Sequence, residues 1–142
     1  MKTLREKVDQ AKKVQKLLTK AFQVLRKRFR MVARQRYMCC NGCAGSALAE
    51  EMRGKLDPQT FGGVVLTTKQ SGVFVEPGTK LGSTARIHDV RLTYGPLGID
   101  GKKFGPDAKT VGDRIAEVFD ELGVPYEWDG DPEVSIKVVP LA

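Results

Sequence analysis

Three cysteines crowd into five consecutive positions and are the strongest chemical signal in the sequence. They are Cys39, Cys40 and Cys43, within the run MCCNGC at residues 38–43. Cys40 and Cys43 have the C-x-x-C spacing that occurs in reversible disulfide pairs and in metal sites. An odd, clustered cysteine count is not the disulfide framework of a small secreted domain. We therefore expect the cluster to be reduced, metal-bound or transiently oxidised.

One interpretation of the cluster is thiol redox chemistry. A helix is predicted to begin at or just inside the cluster, and the unpaired N–H groups of a helix N-terminus stabilise a thiolate. Arg34 and Arg36 lie just upstream and would add positive potential. Cys40 and Cys43 could then close a disulfide reversibly, with Cys39 as a third, resolving thiol.

Two other interpretations of the cluster remain open. A structural zinc site takes four ligands, and the chain offers only Cys39 and its single histidine, His88, to complete the C-x-x-C pair. His88 precedes Asp89 in a predicted strand, where neighbours point to opposite faces, so the two are not an acid–base pair by adjacency. Alternatively, the cysteines are small buried apolar side chains at a tight strand-to-helix turn that uses Gly42.

The positive charge of the chain is concentrated at its N-terminal end. The formal net charge is +7, but residues 1–36 hold 13 Lys and Arg against two acidic residues, whereas the remainder has a net charge of −4. A basic helix of this kind could contact nucleic acid, an anionic membrane, an acidic protein or a second copy, or it could be a solvated face. The candidate basic surface comprises Lys12, Lys13, Lys16, Lys20, Arg26, Lys27, Arg28 and Arg30.

The sequence contains no motif from which a catalytic residue can be argued, and we predict no catalytic residues. A single histidine leaves little room for a serine–histidine–acid set, and no phosphate-binding glycine motif is present. The acidic residues between Glu127 and Glu133 alternate around Gly130 and are interpreted as a turn. The leading interpretation is a small binding protein whose basic helix contacts a protein or nucleic acid. The alternative is a thiol-redox or zinc-binding protein.

Size and composition are typical of one globular domain. The chain has 142 residues, of which 41% are hydrophobic and 29% are charged. No apolar run approaches the roughly 20 residues that a transmembrane helix needs. The first residues, MKTLREKVDQAKK, lack the apolar stretch of a secretory signal. We expect a cytoplasmic protein.

The hydrophobic pattern predicts an α+β fold. A basic amphipathic helix at residues 1–30 is expected to pack on a single α+β domain at residues 31–142, as one long helix or two that break near Leu17. Pattern and turn residues predict a mostly antiparallel sheet of about five short strands with helices on one face. The predicted elements are a short strand within 31–38, a helix from the cysteine cluster to about residue 54, strands at 63–69, 73–76 and 87–94, a loop at 95–105, a helix at 108–122 and strands at 126–128 and 134–139.

The chain resembles a family of uncharacterised bacterial proteins, a domain of unknown function. The resemblance rests on the approach to the Cys-Cys-x-x-Cys motif at residues 32–43, the following helix, the strand that ends LTYG at residues 92–95, the helix at 108–122 and the late YEWDG at residues 126–130. It covers roughly residues 15–140. The resemblance implies that the cysteine cluster is a family feature and supports the predicted order of elements. It implies no established activity.

Overall fold

The computed structural model describes residues 4–69, 74 and 87–140. In that part of the chain, the helices are α1 (Leu4–Phe29), α2 (Asn41–Met52) and α3 (Ala108–Leu122). The strands are β1 (Val32–Arg34), β2 (Val64–Leu66), β3 (Val90–Gly95), β4 (Leu97–Ile99), β5 (Lys102–Phe104), β6 (Tyr126–Glu127) and β7 (Ile136–Val138). None of the helices in these residues is both long and apolar enough to cross a membrane.

Five of the strands form one mixed sheet in the order β1-β2-β3-β7-β6. β1 pairs with β2 in parallel, and the other three pairings are antiparallel. The parallel pair is possible because α2 lies between β1 and β2 in the sequence and supplies the crossover that parallel strands require. The predicted α+β class, mostly antiparallel sheet and long N-terminal helix are confirmed.

α1 is one continuous helix of 26 residues, without a break near Leu17. No Gly or Pro interrupts it, and its apolar residues recur every three or four positions. This stripe is buried against the sheet and α3, through Val8, Ala11, Val14, Leu18, Ala21, Phe22 and Leu25. Since these side chains occupy one face only, the lysines at 12, 13, 16, 20 and 27 are left on the opposite face.

α3 begins and ends as the sequence predicts. The side chain of Asp107 accepts a hydrogen bond from the backbone N–H of Thr110 at 2.8 Å and caps the first turn. Gly123 takes the left-handed conformation, φ 76°, that ends the helix. Between them, Val111, Ile115, Val118 and Phe119 are buried in the core shared with α1.

The sheet carries helices on both faces, which differs from the single helical face that the sequence predicts. Alternate residues of β2 point to opposite faces of the sheet. Val65 belongs to the core with α1 and α3, whereas Val64 and Leu66 belong to a second, smaller core. Ala44 and Leu48 bring α2 into that second core. β2 is buried on both sides, and its unbroken apolar run is the signal for two covered faces, although the run does not indicate which helix covers the second face.

The predicted loop at residues 95–105 contains a two-stranded hairpin, which corrects that prediction. β4 pairs antiparallel with β5 around Asp100 and Gly101. Both turn residues have positive φ, 52° and 80°, as a two-residue hairpin turn of the primed type requires. The Asp-Gly pair is the local signal for this hairpin, whereas the four glycines of the segment favour a loop.

The predicted hairpin between residues 63–69 and 73–76 is only partly described. β2 confirms its first strand. Its turn and most of its second strand lie outside the described residues, although the carbonyl of Phe74 accepts a hydrogen bond from the backbone N–H of His88 at 2.7 Å. The closing strands at the C-terminal end are present as β6 and β7.

Candidate metal and thiol site

The three cysteines lie at the N-terminus of α2, where the sequence places them. Cys40 is the residue that precedes the first turn, with an extended backbone at φ −151° and ψ 172°. Its carbonyl accepts the N–H of Ala44 at 2.9 Å, which closes that turn. Cys43 lies within the turn, and Cys39 directly precedes Cys40. The predicted start of the helix at the cluster is therefore confirmed.

The three sulfur atoms converge. All of them lie within 4.8 Å of one another, and the sulfurs of Cys39 and Cys40 are 3.9 Å apart. No disulfide joins these thiols; Cys39 and Cys43 are exposed, and Cys40 is partly exposed. Cysteines that only fill space are usually buried, so this exposure does not fit the interpretation of a buried structural cluster. Three closely spaced thiols at the surface could hold a metal ion.

The cluster shifts the pKa values of two thiols in opposite directions. The backbone N–H of Cys43 is the largest influence that lowers the pKa of Cys40, followed by the thiols of Cys43 and Cys39. The sulfur of Cys40 does not close a capping hydrogen bond, so the amide acts as a nearby dipole and not as a formed bond. The neighbouring sulfurs of Cys39 and Cys40 raise the pKa of Cys43 to about 11. Of these two thiols, that of Cys40 therefore ionises more readily.

A strained backbone leads from β1 to the cysteines. Arg36 and Met38 have positive φ angles of 50° and 60°, a region that non-glycine residues seldom occupy. Conformations of this kind persist only where the surroundings hold them, and they concentrate at ligand-binding sites. The strain therefore lies directly beside the sulfurs.

Thr67, which follows β2, holds that strained segment. Its side chain is 1% exposed, and its hydroxyl oxygen accepts the backbone N–H of Arg36 at 2.8 Å. Its carbonyl accepts the N–H of Tyr37 at 2.8 Å, and the carbonyl of Met38 accepts the N–H of Lys69 at 2.9 Å. This role of Thr67 is not among the expectations drawn from the sequence. A buried threonine at the end of an apolar strand was the available signal, but its partner is 31 positions away.

The two arginines upstream of the cluster differ in their surroundings. The guanidinium of Arg34 pairs with Glu51 of α2 and stacks over the ring of Tyr37 at 5.0 Å. Its pairing with Glu51 therefore partly neutralises the positive potential that Arg34 exerts at the sulfurs. Arg36 is exposed, with its backbone held by Thr67. Of the pair, Arg36 is the more available source of positive potential.

His88, the remaining candidate ligand, is not part of the cluster of sulfurs. Within the described residues, the group of potential ligand atoms that lie within 4.8 Å of one another consists of the three cysteines. His88 is exposed, and its backbone N–H donates to the carbonyl of Phe74. The structure thus gathers three of the four candidate ligands.

All eight candidate basic residues are exposed. Among the described residues, two of them make polar side-chain contacts: Arg28 pairs with Glu121 of α3 at 2.8 Å, and Arg26 donates to the carbonyl of Ala33 at 2.7 Å. No carboxylate in the same part of the chain pairs with the lysines of α1. The lysines at 12, 16 and 20 follow one line along the helix at intervals of about 6 Å.

The acidic segment after β6 is a turn, as interpreted from the sequence. The side chain of Asp129 accepts the N–H of Asp131, and the side chain of Asp131 accepts the N–H of Glu133, each at 2.9 Å. These carboxylates are used to shape the backbone. Trp128 donates its ring N–H to the carbonyl of Asp131 at 3.0 Å, which fixes the late Trp-Asp-Gly to the same turn.

The fold and the site define a small α+β protein with an exposed cluster of three thiols at a helix N-terminus. The chain belongs to the family described as a domain of unknown function, DUF6891, whose model matches residues 5–142. The match includes all but the first residue of α1, whereas the resemblance seen in the sequence began near residue 15. No curated protein and no solved structure matches the chain.

Proposed function

We propose that this protein binds a thiophilic metal ion, with zinc as the first candidate, through Cys39, Cys40 and Cys43. The observation that carries the proposal is the convergence of three sulfurs within 4.8 Å. Sulfurs bound to one ion at about 2.3 Å lie about 3.8–4.0 Å from one another. The pair at 3.9 Å already meets this requirement, and small side-chain rotations would bring in the third sulfur.

The exposure of the thiols supports a site that exchanges its occupant. An ion at this position would be reached from solvent without unfolding of α2, because Cys39 and Cys43 are exposed. Exposed free thiols persist in a reducing compartment, which supports a cytoplasmic location. The N–H groups at the start of α2 favour negative charge and would support the thiolates that bind the metal.

The experiment is a zinc titration of reduced, metal-free protein under anaerobic conditions. We expect one zinc per chain in the wild type, and binding weakened at least tenfold in Cys40→Ser and in Cys43→Ser, since each loses a thiolate ligand. His88→Ala is the matched control and should keep the wild-type affinity. Equal zinc binding by the wild type and by a chain with all three cysteines changed to serine would refute the proposal.

Reversible disulfide formation is the alternative use of the same thiols. The pKa of Cys40 is lowered and that of Cys43 is raised. This difference favours disulfide formation, because the two thiols then differ in how readily they form the attacking thiolate. With oxidised glutathione, the two protein thiols would become a disulfide and two glutathione thiols would be released. Loss of two protein thiols per chain, with no zinc bound, would select this function over metal binding.

We propose a second, independent function for the basic face of α1, defined as Lys12, Lys13, Lys16, Lys20 and Lys27. Its lysines are exposed and unpaired with any carboxylate in the described part of the chain, and they lie opposite the buried stripe. This arrangement supports contact with an anionic partner, for which nucleic acid is the simplest probe.

The test of the basic face is a binding measurement with double-stranded DNA across a range of salt concentrations. Changing Lys12, Lys16 and Lys20 to Glu should abolish binding at low salt. The control changes Lys55, Lys102 and Lys103 to Glu, which alters the net charge equally at exposed positions outside α1. If both triple variants bind equally well, the basic face is not the contact. If the wild type binds no DNA at low salt, an acidic protein is the partner left to test.

A further inference from the structure

We infer that the preferred occupant of the cysteine cluster is a monovalent thiophilic ion of the Cu(I) class, with the thioether of Met38 as an additional ligand. The inference rests on the proposed metal-binding function and specifies it. It follows from the identity of the donor atoms that the fold brings together at the start of α2. It follows equally from the donor atoms that lie elsewhere.

The ligand set consists of sulfur. In the described residues, the cluster of potential ligands contains three cysteines and no histidine or carboxylate. Structural zinc sites close with four ligands, often including histidine, and catalytic zinc sites commonly use histidine or carboxylate donors. Thiolate and thioether ligands are soft donors, and soft sets favour Cu(I). Three thiolates without a nitrogen or oxygen partner therefore match a soft ion that accepts three ligands.

Met38 is the additional soft donor beside the cluster. It immediately precedes Cys39, so the two Cα atoms are about 3.8 Å apart. Its side chain is 40% exposed, which is unusual in this chain: Val134 is the other large hydrophobic residue found exposed in the described residues. Core packing therefore does not explain Met38. The long, unbranched side chain can turn its thioether toward the sulfurs of the cysteines.

The backbone keeps Met38 next to the cluster. Its left-handed conformation, φ 60°, is held by the hydrogen bond from the N–H of Lys69 to its carbonyl. Lys69 lies two residues after the buried Thr67, which also bonds Arg36 and Tyr37. The segment that follows β2 thus holds the backbone that leads into the cluster, and the run Met-Cys-Cys-x-x-Cys at residues 38–43 offers four sulfur atoms next to one another in sequence.

The experiment is an anaerobic competition between the two ions. Zinc-loaded protein is titrated with Cu(I), supplied as its acetonitrile complex, while a chromogenic zinc chelator reports released zinc. Bathocuproine disulfonate then measures the Cu(I) affinity of each variant. We expect one equivalent of Cu(I) to displace the zinc. Met38→Leu should weaken Cu(I) binding by about tenfold, as loss of a supporting interaction at a metal site typically does, and should leave zinc affinity unchanged.

Met52→Leu is the matched control, because it removes a thioether from the far end of α2 and should change neither affinity. Zinc that stays bound in the presence of excess Cu(I) would overturn the inference and leave the proposed function in place. Failure of the reduced protein to bind either ion would overturn both. A Met38→Leu variant with wild-type Cu(I) affinity would remove Met38 from the ligand set.

Discussion

The backbone N–H of Arg36 donates to the hydroxyl oxygen of Thr67 at 2.8 Å, although the two residues are 31 positions apart. Through this bond, the residue that follows β2 determines the path of the chain that leaves β1. Arg36 is held with φ at 50°, three residues before Cys39. The positions of the thiols therefore depend on a buried hydroxyl that touches none of them.

Thr67→Val tests this dependence, because valine has a similar shape and no acceptor. We expect the free energy of unfolding to fall by about 1 kcal/mol, the lower end of the cost of an N–H that loses its partner, because this bond is only partly buried. The affinity for zinc should fall as well, because the segment that presents Cys39 and Cys40 loosens. Urea denaturation and the anaerobic zinc titration measure the two effects.

Thr67→Ser is the control for that prediction, since it keeps the hydroxyl and removes a methyl group. It should retain wild-type zinc affinity despite a modest loss of stability. If Thr67→Val binds zinc as the wild type does, Thr67 supports the fold and does not position the site.

Gly112 of α3 is expected to tolerate no side chain. A Cβ at this position would lie 2.6 Å from Cη2 of Trp128 and 3.0 Å from Cε2 of Tyr94. Gly112→Ala should therefore destabilise the fold by about 1–3 kcal/mol, even though alanine favours helices. Trp128 fluorescence during urea denaturation gives both the stability and the displacement of the ring.

Gly45 of α2 provides the matched comparison, because nothing lies within 4 Å of a Cβ built there. Gly45→Ala should stabilise the protein by up to about 1 kcal/mol through helix propensity alone. Opposite signs for the two glycine substitutions are the expected result. A stabilised Gly112→Ala would show that Trp128 does not pack against α3.

Asp107 should make stability depend on acid pH. The N–H of Thr110 lowers the pKa of this carboxyl below its usual 3.8, so the unfolded chain takes up the proton first as pH falls. The contribution to stability is therefore complete above pH 3.8 and is lost as pH falls through the lowered folded pKa. Denaturation midpoints of wild type and Asp107→Asn, measured from pH 6 to pH 2, test this.

Asparagine keeps the capping oxygen without the ionisable group. Asp107→Asn should therefore be close to wild type near neutral pH and lose less stability in acid. Parallel losses in the two proteins would assign the acid sensitivity to other carboxyl groups.

Tyr94 should contribute to stability below about pH 10 and lose that contribution in alkali. Its hydroxyl donates to the carbonyl of Val134 at 2.7 Å, and burial is the largest influence that raises its pKa above 10.0. Since the folded state disfavours the phenolate, stability falls as pH rises through the raised pKa. Tyr94→Phe should cost about 0.5 kcal/mol at pH 7, the lower end for a hydrogen bond because this one is solvent-exposed.

Tyr126→Phe is the comparison for Tyr94→Phe, since its hydroxyl bonds the exposed carboxylate of Asp120. The free energy of unfolding of both variants should fall less with rising alkaline pH than that of the wild type. An unchanged curve for Tyr94→Phe would mean that Tyr94 does not limit alkaline stability.

The parts of the fold that depend on local pattern were predictable. The stripe of α1 and the ends of α3 follow from residues three or four positions apart and from Asp107 and Gly123. The start of α2 at the cysteines was predictable too. Each of these features is decided by neighbours in sequence, where side-chain spacing and backbone preference act together.

The parts that depend on distant contacts were not predictable. Nothing near Thr67 indicates that it bonds Arg36, because the contact exists only once β1 and β2 pair in parallel. The placement of α2 on the second face of the sheet likewise depends on both faces of β2 being covered. The β4–β5 hairpin is an exception, since Asp100 and Gly101 were a local signal.

The two cores of the sheet have a consequence for how an occupied site would be detected. α2 carries the thiols and rests on the smaller core, through Ala44 and Leu48, whereas α1 and α3 share the larger one. Amide hydrogens of α2 should therefore exchange with solvent faster than those of α3. An ion bound at residues 39–43 would slow that exchange in α2 and leave α1 and α3 unchanged.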